Sequence, residues 1–110
     1  MGCRPDKRMR RVEIASRFGE NLMRCRREAG LSQEELGFRA SLHRTEIGML
    51  ERGIRLPRID TLVKLAGAME IAPGALLDGL DWVPGGPRIG QFRVREECPE
   101  AEAKPALRRG

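Results

Sequence analysis

The chain has 110 residues with a formal net charge of +5, and 34% of them are charged, which favours one small domain with a modest core. Aromatic residues make up 4% and tyrosine is absent, so neither a β-sandwich nor a large ligand-binding barrel is expected. Three widely separated cysteines form no metal-binding spacing with the single histidine, which indicates a reduced protein without a metal or cofactor. No apolar run reaches the length of a signal peptide or a membrane span, so a cytoplasmic location is predicted.

The excess positive charge lies at the start of the chain. Residues 1–11 contain five basic side chains and one acidic one, whereas residues 12–80 contain ten of each. Because residues 1–11 also lack apolar periodicity, we predict a flexible basic arm there. Such an arm would either follow DNA phosphates or the minor groove, or serve only as a solubilising tail. The overall charge is therefore a weak argument for nucleic-acid binding.

The first predicted helix runs from Val12 to Ala29 and is followed by Gly30, a residue suited to a helix C-terminus. Apolar residues at helical spacing form one stripe along it: Ile14, Phe18, Leu22, Cys25 and Ala29. Such a stripe faces a core. Cys25 is accordingly interpreted as a core residue rather than a reactive thiol.

The second predicted helix begins at the segment SQEE. The Ser32 hydroxyl can accept a hydrogen bond from the first free amides while Glu35 reaches back to the serine, which is a capping box. Leu36 and Ala40 supply the inner face of this helix. The helix is expected to break at residues 41 and 42.

The third predicted helix, residues 43–52, has apolar and polar residues on opposite sides. On a wheel of about 3.6 residues per turn, the inward side is formed by His43, Ile47, Leu50 and Glu51. The outward side is formed by Thr45, Met49 and Arg52. Arg44 and Gly48 lie on one flank and Glu46 on the other. A glycine inside a helix costs about 1 kcal/mol relative to alanine, so Gly48 reflects either close approach of another molecule or tolerated drift.

Glu51 lies beside the apolar seam of this third helix, where an unpaired carboxylate would be costly. Arg26 borders the inner stripe of the first helix in the same way, one turn after Leu22. The two positions predict a partly buried ion pair that ties the first helix to the third.

A fourth helix is predicted from Ile59 to Glu70, with its inward face formed by Leu62, Leu65, Ala66 and Met69. A short fifth helix follows, because Pro73 fits a first helical turn. Its core-facing residues are expected to be Leu76, Leu77 and Leu80.

The texture of the chain changes after residue 80. Two strand-like pieces, 82–83 and 91–95, are separated by a segment of prolines and glycines and predict a hairpin or an added strand. Phe92 and Val94 alternate with arginines, so one face of the second piece is apolar. The charged, proline-containing segment 96–110 predicts disorder.

Three segments at correct mutual spacing, GLSQEEL, IxxLERG and TLxKLA, resemble the phage-repressor-like (XRE/Cro-type) helix-turn-helix family. The resemblance covers about residues 14–80. It implies an all-α, five-helix repressor-like domain over residues 12–80, between a flexible basic arm (1–11) and a C-terminal extension (81–110). It also implies a prokaryotic regulator, associated with the nucleoid when bound, which binds double-stranded DNA in a sequence-specific way as a homodimer.

The resemblance assigns roles to individual residues. Arg44, Thr45 and Met49 match the positions that reach base edges, and Gly48 lies among them. Gln33 matches a phosphate-contacting position at the start of the second helix, and His43 a position near the DNA backbone or bases. Arg26 and Glu51 match the family's buried ion pair, in agreement with the wheel. Four further basic residues near the turn are predicted to contact phosphates: Arg39, Arg52, Arg55 and Arg58.

Two departures from the family pattern carry expectations of their own. Arg58 and Ala72 stand where the family often has a small capping residue, so the starts of the fourth and fifth helices should be less well defined. Met49 replaces a more usual polar reader, which favours apolar contact with a base, for example a thymine methyl group.

Alternatives remain for function and for assembly. Catalysis finds little support, since the single histidine has no recognisable partner. A protein-interaction adaptor or antitoxin would use the same fold, with the C-terminal tail and its acidic residues (Glu96, Glu97, Glu100 and Glu102) binding a protein partner. The surface for a homodimer would be either the fifth helix with Trp82 or the strand at 91–95.

Overall fold

The structure is a computed structural model that describes residues 11–87 and 89–95, and the side chains from residue 13 onward. The predictions for the arm at residues 1–10 and for the tail at 96–110 lie outside these residues. One compact unit spans Arg10–Asp78, and Gly79 begins a second.

Within the described residues the chain forms four α-helices, one 3-10 helix and two strands. The helices are α1 (Arg11–Glu28), α2 (Gln33–Ala40), α3 (Arg44–Glu51) and α4 (Ile59–Met69). The 3-10 helix is Pro73–Leu77, and the strands are β1 (Leu80–Val83) and β2 (Gln91–Val94). The prediction of five α-helices is therefore wrong by one element, while a mostly helical domain with a small hairpin is correct.

The fifth element is a 3-10 helix because little favours an α-helix there. Ala72 supplies no side-chain cap, and the element has only five residues, too few to offset the cost of starting a helical turn. Leu76 is fully buried, as expected, but Leu77 is 42% exposed. Leu80 lies in β1 and is half-buried, so the expectation that all three leucines enter the core fails for two of them.

The core of the first unit joins all four helices and the 3-10 helix around one apolar cluster. It contains the predicted inward residues of α2 and α4 and the predicted stripe of α1, apart from Ala29. Ala29 is exposed because α1 ends at Glu28 and the chain turns away through Gly30 at φ +76°. Cys25 is buried, and this burial raises the pKa of its thiol.

Asn21 is a buried polar residue that the sequence analysis missed. Its side chain is fully buried, and Nδ2 donates to the Leu76 carbonyl at 3.0 Å and to the Asp78 carbonyl at 2.9 Å. These bonds satisfy carbonyls at the end of the short 3-10 helix and fasten that helix to α1. The position three residues after Phe18, on the core-facing side, was the available signal.

α1 and α3 approach each other closely at Gly19. A Cβ atom at this position would lie 2.5 Å from the backbone oxygens of Leu50 and Glu51, a distance that any larger residue would have to relieve by moving a helix. Gly53 is similar, since it has φ +76° and a Cβ atom there would lie 2.9 Å from Ser16. These two contacts fix the end of α3 against α1.

The second unit contains a two-stranded antiparallel hairpin. Leu80 pairs with Val94 and Trp82 with Phe92, so these four side chains share one face. The Trp82 and Phe92 rings meet edge to face with centroids 4.9 Å apart. On the other face Asp81 accepts hydrogen bonds from Arg93 and Arg95 at 3.2 and 2.7 Å. The predicted alternation of apolar and basic residues is thus present.

Candidate nucleic-acid interface

A tight turn joins α2 to α3. The predicted capping box starts α2: Glu35 N–H donates to the Ser32 hydroxyl at 3.0 Å, and Ser32 N–H donates to the Glu35 carboxylate at 2.8 Å. At its other end Ser41 adopts the left-handed conformation with φ 60°. Leu42 N–H then donates to the Gly37 carbonyl at 2.8 Å. A Cβ atom at Gly37 would lie 2.6 Å from the Leu42 carbonyl oxygen, so the turn requires glycine there.

The capping box is sensitive to pH. The backbone hydrogen bond from Ser32 lowers the pKa of the Glu35 carboxyl. A carboxyl whose pKa is lower in the folded than in the unfolded chain stabilises the fold above the unfolded pKa, and this stabilisation is lost as the pH falls through the folded value.

His43 caps α3, which corrects its predicted inward orientation. The residue is exposed and precedes the helix, and its Nδ1 accepts a hydrogen bond from Thr45 N–H at 3.0 Å. A capping residue has extended backbone angles, so the wheel of a continuous helix does not apply to it. Because Nδ1 accepts, a neutral His43 carries its proton on Nε2.

Replacing His43 with alanine removes this cap and should lower the free energy of unfolding by about 1 kcal/mol. His43→Asn retains an oxygen that can accept from Thr45 N–H and should recover most of the loss. Denaturant unfolding of the three proteins measures both effects. Equal stability of the alanine variant and the wild type would show that the cap contributes nothing.

The outward side of α3 contains the residues predicted to reach bases. Arg44 and Thr45 are exposed in its first turn, while Gly48 and Met49 are half-buried one turn later. Ile47 and Leu50, on the opposite side, are fully buried. The helix is therefore held by its inner side and presents its first turn to solvent.

Arg26, Glu51 and Gln33 form a hydrogen-bonded network beneath this helix. Arg26 Nε and Nη2 donate to the two Glu51 oxygens at 2.5 and 3.1 Å, and the Glu51 side chain is only 1% exposed. Arg26 Nη1 also donates to the Leu31 carbonyl at 2.9 Å. Gln33 Nε2 donates to Glu51 Oε1 at 2.9 Å. The predicted ion pair is thus present, and it connects α1, α2 and α3.

The remaining basic residues of the predicted interface are all exposed: Arg39, Arg52, Arg55 and Arg58. Two of them have weak contacts within the chain. Arg39 donates to the Ala68 carbonyl at 3.4 Å, and Arg58 lies 3.4 Å from the Asp60 carboxylate with its own side chain 84% exposed. Arg58 makes no side-chain cap for α4, as its departure from the family pattern suggested. Such exposed contacts are easily exchanged for phosphates.

Neither a metal site nor a membrane span is found in the part of the chain that the structure describes. No group of three or more metal-binding side chains lies together there. No helix in this part is both long and apolar enough to cross a bilayer.

Comparisons with known proteins identify the family. The helix-turn-helix model HTH_3 matches residues 22–76, which include α2, the turn and α3. The HTH-type transcriptional regulator y4dJ of Sinorhizobium fredii is 40% identical over 77 residues, which are 70% of this chain and 100% of the relative.

Solved structures agree with this identification. The restriction-modification controller protein C.AhdI of Aeromonas hydrophila is 40% identical with a TM-score of 0.55, over 56% of this chain and 94% of that one. The P22 c2 repressor, solved with a synthetic operator, is 27% identical with a TM-score of 0.53 over the same shares. The chain therefore belongs to the XRE-type helix-turn-helix family, whose members similar to it are transcriptional regulators and restriction-modification controllers.

Proposed function

We propose that this protein is a transcriptional regulator that binds double-stranded DNA at a specific sequence, with α3 in the major groove. The observation that carries the proposal is the first turn of α3, where Arg44 and Thr45 are exposed on a helix whose other side is fixed in the core. A rigid helix with a polar outer turn is what major-groove reading requires.

In this proposal the base edges are contacted by Arg44, Thr45 and Met49, with the groove approaching Gly48. Phosphates on either side are contacted by His43, Arg39, Arg52, Arg55 and Arg58, while Gln33 lies at the start of α2 beside them. His43 can donate from Nε2 because its Nδ1 is occupied by the cap. That occupied nitrogen also argues against a catalytic histidine.

Pairing of two chains would extend the short sequence that one α3 can read. A symmetric homodimer would place two recognition helices about 34–36 Å apart, one turn of DNA. Light scattering after gel filtration, with and without DNA, measures this. Separate halves of the chain, 12–80 for DNA and 81–110 for assembly, are the corresponding proposal for its domains.

The function is tested by selecting bound DNA from a random pool and then measuring a gel shift on the selected site. A specific shift that persists with excess nonspecific DNA supports the proposal. Failure to enrich any sequence over a range of salt concentrations would instead favour the adaptor or antitoxin alternative.

Gly48 distinguishes close approach of DNA from tolerated drift. A Cβ atom here would lie 3.7 Å from Gln33 Oε1 and 3.9 Å from Nε2, so the folded chain has room for alanine. Gly48→Ala should therefore raise the free energy of unfolding by up to about 1 kcal/mol through helix propensity. If DNA approaches closely at this point, the same variant should bind the selected site more weakly than the wild type.

The two measurements on this variant are read together. Thermal unfolding gives the stability and fluorescence anisotropy gives the affinity. A more stable variant with unchanged affinity would show that Gly48 is tolerated drift and would remove it from the proposed interface.

A further inference from the structure

The side-chain amide of Gln33 is held in one orientation. Its Nε2 lies 2.9 Å from Glu51 Oε1, and a carboxylate can only accept hydrogen bonds. The nitrogen of the amide, and not its oxygen, must therefore face Glu51.

Glu51 itself cannot turn to relieve this constraint. Both its oxygens accept from Arg26, at 2.5 and 3.1 Å, and its side chain is 1% exposed. Arg26 is fixed in turn by its bond to the Leu31 carbonyl. The polarity of the Gln33 amide is thus set by a buried ion pair that has no other access to the surface.

The carbonyl oxygen of Gln33 is left on the reading side. It borders the gap at Gly48, one helical turn after Arg44. Within residues 13–87 and 89–95 no donor supplies it with a hydrogen bond. A half-buried acceptor beside the recognition helix is poorly suited to a phosphate, which itself offers only acceptor oxygens.

We propose that Gln33 reads a base and that Glu51 is the positioning residue that sets which base. This inference rests on the proposed function and revises the phosphate contact expected for Gln33. The outward carbonyl accepts from the exocyclic amine of adenine or cytosine, and adenine fits best because its N7 can also accept the second Nε2 proton.

The same geometry predicts how the preference can be reversed. In Glu51→Gln, one oxygen remains to accept from Arg26, and the new amide nitrogen faces Gln33. Gln33 must then turn its oxygen inward to accept and its NH₂ outward to donate. Two outward donors suit the keto oxygens of guanine or thymine instead.

DNA selection with the full chain tests the inference. The wild type should enrich an amino-bearing base at one position, and Gln33→Met, which has similar length but no hydrogen bonds, should lose that preference with about tenfold weaker binding to the selected site. Glu51→Gln should enrich a keto base at the same position. A uniform loss for Gln33→Met on selected and random DNA would show a phosphate contact and overturn the proposal. So would an unchanged base preference in folded Glu51→Gln.

A measurement on the unbound wild type remains decisive if Glu51→Gln does not fold or if no DNA sequence is enriched. The chain has only three carboxamides, Asn21, Gln33 and Gln91, so Gln33→Met assigns the Gln33 amide pair in a ¹⁵N–¹H NMR spectrum. One of its two protons should exchange with water more slowly than in free glutamine. Fast exchange of both would overturn the orientation, whereas failure of DNA selection alone would overturn only the proposed function.

Discussion

Glu51→Ala should lower the free energy of unfolding by about 3–5 kcal/mol, the effect expected when one member of a buried ion pair is removed. The carboxylate accepts two bonds from Arg26 and one from Gln33. Without it, a guanidinium that is only 12% exposed keeps its charge with no acceptor except the Leu31 carbonyl. Chemical denaturation followed by circular dichroism measures the loss.

A matched control separates burial from the general loss of a carboxylate. Glu20 is an exposed carboxylate in the middle of α1, and Glu20→Ala should change the stability by no more than about 0.5 kcal/mol. If Glu51→Ala destabilises the chain no more than Glu20→Ala, the ion pair contributes little and its role in fixing α3 is wrong.

The double variant Arg26→Met with Glu51→Met tests whether the cost comes from an unpaired charge. Replacing both partners by apolar residues avoids leaving either charge buried. The double variant should therefore be more stable than the sum of the two single substitutions implies, with a coupling between them of about 0.5–3 kcal/mol. Additive effects would indicate that the residues act independently.

The sequence was sufficient to predict the parts of the fold that depend on periodicity and local capping. The apolar stripe of α1, the capping box of Ser32 and Glu35, and the inner faces of α2 and α4 are where spacing places them. The Arg26–Glu51 pair was also accessible, because a wheel can identify a carboxylate beside an apolar seam and a basic residue in a matching place.

The sequence was insufficient where tertiary contacts decide between local structures. Asn21 is buried because two backbone carbonyls of a distant segment need its donor, and no pattern within α1 shows those carbonyls. His43 ends up outside α3 because its ring can cap the helix, which a wheel drawn through residue 43 excludes from the start. The leucines after Pro73 have helical spacing, yet the segment is too short and uncapped to become an α-helix.

The candidate site divides in the same way. Exposure of Arg44 and Thr45 follows from the pattern, since Ile47 and Leu50 fix the opposite side in the core. The hydrogen bond from Gln33 to Glu51 does not follow, because it depends on how α2 and α3 cross. That crossing in turn needs the tight turn at Gly37 and the close contact at Gly19.

Arg44→Ala should weaken binding to the selected DNA site by about 1–3 kcal/mol and relax the preference at one base pair. Arg44 is exposed in the first turn of α3, where a guanidinium can donate two parallel bonds to guanine O6 and N7. Its removal leaves the core untouched, so the free energy of unfolding should change little. Anisotropy titrations on the selected site, its single-base variants and random DNA measure the effect.

Arg27→Ala is the control for simple loss of positive charge, because Arg27 is an exposed arginine in the last turn of α1, outside the proposed interface. It should leave binding to the selected site nearly unchanged. For Arg44→Ala, the affinity for random DNA decides between two roles. A loss confined to the selected site identifies a base contact, because phosphate contacts strengthen binding to all sequences alike. An equal loss on random DNA would make Arg44 a phosphate ligand, and the reading of the groove would then fall to Thr45, Met49 and Gln33.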